Sequence, residues 1–140
     1  ATRYSELFFG KGRRWIADPS GLVEVKAGAE VWWKDTTFWN TDPAGRRQLV
    51  VHLINPPKLM EVEANPRSEL RPPLEKVEVL CRPVDGALPR AAWLVTAEPL
   101  DPAEPAEVRQ IAIALEPVEG GKVRVTAPSV IFWKIVVLEF

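Results

Sequence analysis

The chain has 140 residues, of which 46% are hydrophobic and 26% charged, with a net charge of -1, the composition of one globular domain with enough apolar material for a core. The near-neutral balance leaves no basic excess to neutralise phosphates, which argues against a nucleic-acid partner, and no apolar run reaches the about 20 residues of a membrane span. A single cysteine, Cys81, excludes an internal disulfide and a thiolate-rich zinc site.

The opening segment places Tyr4, Leu7 and Phe8 at helical spacing and ends on Gly10 and Gly12, which fits one short N-terminal helix. It has no basic stretch followed by an apolar one, so no secretory signal is read from it. Beyond it, 14 prolines and 8 glycines cut the chain into short pieces, and interior prolines at that spacing work against helices. The pieces between them read as strands: GLVEVKAGAEVWWK from 21, RQLVVHLIN from 47, EKVEVLCRPV from 75, AAWLVTAEP from 91, VRQIAIALEPV from 108, KVRVTAP from 122 and SVIFWKIVVLEF from 129. Val77, Val79 and Cys81 share one face, Ile111, Ile113 and Leu115 another, and Val123 and Val125 alternate with charged or polar neighbours. The glycines of EGGK, 119–122, accept positive φ and predict a hairpin turn. Residues 55–73 hold too many prolines for a central strand and predict a surface excursion with one edge strand over Leu59 to Glu63. AEPLDPAEPAE, 97–107, predicts a solvated loop. The last run, apolar on both faces except at Lys134 and Glu139, predicts a strand buried on both sides, central in the sheet or covered from outside.

Little in the chain suggests catalysis. His52 lies opposite Leu49, Val51 and Leu53 and is read as a half-buried histidine satisfied locally, since one histidine cannot build a histidine-based metal site. No serine sits in a nucleophile elbow, and no glycine cluster cradles phosphate. Asp35, Asn40 and Asp42 could offer oxygens to calcium, but no EF-hand spacing is present. No cofactor and no metal are expected, and the chain is read as non-enzymatic.

The window Glu30 to Asp42 holds three of the six tryptophans. Strand alternation puts Ala29, Val31 and Trp33 on one side and Glu30, Trp32 and Lys34 on the other, so Trp33 is expected in the core and Trp32 at the surface. Phe38 and Trp39 follow KDTT and are read as part of a polar loop. An indole beside Lys34, Asp35, Asn40 and Asp42 suits sugar recognition, where the ring stacks on the apolar face of a pyranose and the polar groups meet its hydroxyls. The same grouping suits a domain interface, and core packing, a partner surface and a glycan platform all stay open for Trp32 and Trp39. Trp15, Trp93 and Trp133 are assigned to the core.

GRRQLVVHLINPP, 45–57, preceded by a segment rich in tryptophan and aspartate, resembles the C-terminal β-domain of bacterial polysaccharide-processing glycoside hydrolases of the dextranase type. AAWLVTAEP and the closing VIFWKIVVLEF fit the same resemblance. It implies an accessory domain beside a catalytic barrel, with a secreted or periplasmic location, and nothing here matches the barrel's carboxylates. The expectation is therefore an all-β fold, an antiparallel β-sandwich of Greek-key or jelly-roll type over residues 1–140. Its function would be non-catalytic binding of a polysaccharide or oligosaccharide through Trp32, Trp39, Lys34, Asp35, Asn40 and Asp42. The alternative is a structural domain packed on a catalytic domain of the same parent protein. A free-standing enzyme using carboxylates is the third reading.

Overall fold

Alternating apolar residues need two sheets to close on, and the chain supplies them. The structure, a computed structural model, describes residues 14–62, 65–69, 71–98 and 107–140, so the N-terminal helix expected around Tyr4 to Gly12 and most of the 97–107 loop lie outside the described residues. One antiparallel sheet runs in the order β1 (Arg14–Trp15), β3 (Thr37–Thr41), β4 (Arg47–Ile54), β12 (Trp133–Glu139), β8 (Ala91–Thr96) and β9 (Arg109–Ala112). The other runs β10 (Glu116–Val118), β11 (Lys122–Val130), β7 (Leu74–Cys81) and β2 (Val23–Ala27). A separate hairpin pairs β5 (Lys58–Val62) with β6 (Asn65–Glu69). Only short 3₁₀ turns, and no α-helix, interrupt the strands among the described residues. This is the expected antiparallel β-sandwich.

Leu49, Val51 and Leu53 of β4 and Val136 and Leu138 of β12 meet Val77, Val79 and Cys81 of β7 and Val123, Val125 and Ala127 of β11 between the sheets. A second cluster, Phe38, Val50, Val95, Ile135 and Val137, lies on the opposite face of the larger sheet, each no more than 3% exposed. That explains the unbroken apolar run at the C-terminus: β12 is a central strand, paired with β4 on one side and β8 on the other, and both its faces are buried.

Four boundaries differ from the sequence reading. The run from Val108 splits into β9 and β10, because the chain leaves one sheet and enters the other, with Ile111, Ile113 and Leu115 still packed on the common core. The excursion after Asn55 carries a complete two-stranded hairpin rather than one edge strand. Val31 to Trp33 is not strand but a single bridge at Trp32. The last turn falls at Ile131 and Phe132, so Pro128 stays inside β11; β10 reaches only as far as Arg124, which leaves the missing N–H of Pro128 on a locally unpaired edge. The EGGK turn is as expected, with Gly120 at φ 80° and Gly121 at φ 70°.

The β11–β12 turn is held from outside the hairpin. Glu98, buried just past β8, accepts hydrogen bonds from the backbone N–H of Ile131 (3.1 Å), Phe132 (2.6 Å) and Trp133 (2.7 Å). Its charge partner is Lys134, whose Nζ lies 3.6 Å away and donates to the carbonyls of Pro128 and Ser129 at 2.7 and 2.5 Å. Burial pushes the Lys134 pKa down, and the Glu98 charge pushes it back. A buried charge is tolerated only when paired and hydrogen-bonded, so Glu98→Ala should leave Lys134 and three amides uncompensated and cost about 3–5 kcal/mol, read from urea unfolding. A loss below about 1 kcal/mol would contradict this role. Burial also raises the Cys81 thiol to about 12; the native chain should resist thiol reagents at pH 8 and react only in denaturant.

Candidate functional site

The segment that carries the chain from β2 in one sheet to β3 in the other builds an exposed aromatic surface. Its alternation is as the sequence suggests: Val31 and Trp33 pack on the inter-sheet core, and Trp32 turns outward with 51% of its surface exposed. Two backbone hydrogen bonds fix Trp32 to the end of β4, its N–H donating to the Ile54 carbonyl (2.8 Å) and the Ile54 N–H donating to its own (2.9 Å). The indole Nε1 donates to Glu30 Oε1 at 3.2 Å, which orients the ring.

A 3₁₀ turn over Lys34–Thr36 follows. The Thr37 hydroxyl donates to the Trp33 carbonyl at 2.7 Å, and the Thr36 hydroxyl reaches the carbonyls of Trp33 and His52 at 3.2 and 3.1 Å. These short side-chain bonds close the turn locally and leave Lys34 and Asp35 exposed beside the indole. Together Val31 to Thr36 and Ile54 line a surface hollow of about 470 Å³. Its chemistry is two indoles, Trp32 exposed and Trp33 half-buried with the Lys34 ammonium 5.8 Å from its centroid, together with a carboxylate and a hydroxyl.

The other three expected site residues are elsewhere. Trp39 is not in a loop: it lies in β3, 8% exposed, facing the inter-sheet core. It meets Phe140 edge-on at 5.5 Å, with the Arg47 guanidinium 4.3 Å from its centroid. Asn40 is buried on the opposite face, its Nδ2 donating to Gln48 Oε1 at 3.0 Å. Asp42 is buried at the β3–β4 turn, accepting from the Arg46 backbone N–H (2.9 Å) and Nε (2.7 Å). The chain turns at Asp42–Arg46, where Gly45 takes φ 82°, and not at KDTT. Phe38 and Trp39 are therefore strand residues, and the expected grouping separates into an exposed half (Trp32, Lys34, Asp35) and a buried half.

The assignment of Trp15 and Trp133 to the core is also corrected. They are 54% and 41% exposed and flank an aromatic row on the outer face of the larger sheet. Trp15 meets Phe38 edge-on at 5.1 Å, Phe38 lies 5.6 Å from His52, and His52 stacks on Trp133 at 5.4 Å. Trp133 Nε1 donates to His52 Nδ1 at 2.9 Å.

Sequence reasoning missed Arg71 and a second hollow of about 590 Å³ lined by residues 26–29, 71–76 and Glu78. Arg71 Nη1 donates to the Glu30 carbonyl at 3.0 Å. It belongs to the proline-rich excursion, and no local spacing signals a contact 41 residues back along the chain.

No protein-family model matches this sequence, and no curated protein does. Among solved structures, a cycloisomaltooligosaccharide glucanotransferase of Paenibacillus sp., complexed with cycloisomaltoheptaose, matches with a TM-score of 0.58 at 18% identity. The match covers 96% of this chain and 19% of that one, so this chain corresponds to a small part of that enzyme's length. At this identity the likeness concerns the fold.

Burial works against ionisation of Asp42, but the hydrogen bonds and charge of Arg46 outweigh it and hold its pKa below 3.8. A depressed carboxylate adds stability that is complete above its unfolded pKa and disappears as pH falls through the folded value. Asp42→Asn should therefore lower the melting temperature at pH 7 and flatten its decline as pH falls below about 4. An unchanged acid slope would refute the assignment.

Proposed function

We propose that this chain is a non-catalytic polysaccharide-binding module carried by a longer glycan-processing enzyme. The observation that carries the reading is Trp32, half exposed, held by the Ile54 backbone and by Glu30, with Lys34 and Asp35 lining the same hollow. A ring that is already oriented loses little freedom on binding, and its rim can hydrogen-bond sugar hydroxyls while the indole covers C–H groups. The likeness to part of an enzyme whose structure holds a cyclic oligosaccharide supports the same reading.

A second reading has its own observation. Trp15, Phe132 and Trp133 are 54%, 47% and 41% exposed, and exposed aromatics are enriched where proteins pack together. In this reading the larger sheet's outer face and the β11–β12 turn dock against a catalytic domain of the same polypeptide without binding sugar.

Native affinity electrophoresis separates the two. Gels containing dextran, starch, xylan or mannan would be run with wild type, Trp32→Ala and Trp39→Ala, and circular dichroism would establish that each variant is folded. The binding reading expects retardation by at least one glycan and an affinity loss of about tenfold or more in Trp32→Ala. Trp39→Ala should lose stability, by about 3–5 kcal/mol for a buried tryptophan, while its folded fraction is retarded as wild type is. A chain that migrates identically in every gel would overturn the binding reading and leave docking.

A further inference from the structure

We propose that the hollow on the far side of Glu30 is a second subsite of the Trp32 groove, so that the chain takes an extended stretch of a linear glycan and not a single sugar unit; this rests on the reading of Trp32 as a glycan platform. Three observations carry it. First, the hollows are neighbours along one segment: Gly28 and Ala29 line one, Val31 and Trp32 the other, and Glu30 alone separates them. Second, Glu30 is tied at both ends, its carbonyl accepting from Arg71 Nη1 at 3.0 Å and its carboxylate from Trp32 Nε1 at 3.2 Å. It lies between the two lining segments, and the same residue that accepts from the Trp32 indole also accepts from the second hollow's guanidinium.

Third, the second hollow has the composition a sugar chain needs. The exposed rings of Pro72 and Pro73 give apolar surface, and Arg71 and Lys26 give donors for hydroxyls. The volumes, about 590 and about 470 Å³, each fall in the range of small-ligand sites, about 300–1,000 Å³. Weak contacts to consecutive units of one polymer multiply, because the second contact forms at the high effective concentration set by the first.

The test compares dextran, isomaltoheptaose and isomaltose as ligands for wild type, Arg71→Ala, Gly28→Gln and Trp32→Ala. Gly28→Gln fills the second hollow at little risk to folding, since a Cβ there would meet no atom within 4 Å. The expected result is that Arg71→Ala and Gly28→Gln each weaken dextran and isomaltoheptaose by about tenfold and leave isomaltose unchanged, while Trp32→Ala weakens all three. If Gly28→Gln binds dextran as wild type does, or if it weakens isomaltose as much as dextran, the second subsite is refuted and the Trp32 platform stands. A wild-type chain that ignores dextran overturns the inference; if starch, xylan and mannan are ignored as well, the platform reading falls with it.

Discussion

The ladder between β4 and β12 is the constraint on which the rest depends. Seven pairs, from Trp133 opposite Ile54 to Glu139 opposite Gln48, join the end of the chain to its middle. On its other side β12 pairs with β8, so it is the strand that unites β1, β3 and β4 with β8 and β9. Without it the larger sheet would be two fragments with exposed edges. Both faces of the ladder are apolar, Leu49, Val51 and Leu53 toward the smaller sheet and Val50 and Val137 away from it, which is why these two strands carry the most hydrophobic runs of the chain.

The aromatic surface inherits its geometry from that ladder. Ile54 is the last residue of β4; it pairs with Trp133 on one side and with Trp32 on the other. A residue outside any strand is thereby tied to the sheet by two backbone hydrogen bonds. The Glu98 carboxylate performs a comparable task at the turn before β12: three amides and one ammonium meet a single buried anion, and the register of Trp133 follows from where that turn is pinned. Polar groups in this protein are buried where they fix direction, while packing supplies the stability.

The hollow beside Trp32 is small and open. On the glycan reading proposed above, an indole with a mixed-charge rim would give orientation at low entropic cost, and strength would come from contact with successive units of a polymer.

What the residues alone determined is considerable. Period-two alternation identified the strands, because a half-buried sheet demands it; it put Trp33 inward and Trp32 outward, and it placed His52 opposite Leu49, Val51 and Leu53. The doubly apolar last run, where alternation breaks, marked a strand buried on both faces, central or covered from outside, and the pairing of β12 with β4 and β8 makes it central. What alternation could not decide is where a turn falls when several polar residues precede and follow an aromatic pair. KDTT and TDPAG are both adequate turn sequences, and only the pairing of Phe38 with Val50 and Trp39 with Leu49 selects the second, which buries Trp39, Asn40 and Asp42. Likewise Glu98 reaches the turn after Val130, and Arg71 reaches Glu30, across tens of residues. Local sequence carries the period of each strand, but which strands meet is settled by burial of the whole, and so the exposed half of the candidate site was legible in the sequence while its boundary was decided by the tertiary structure.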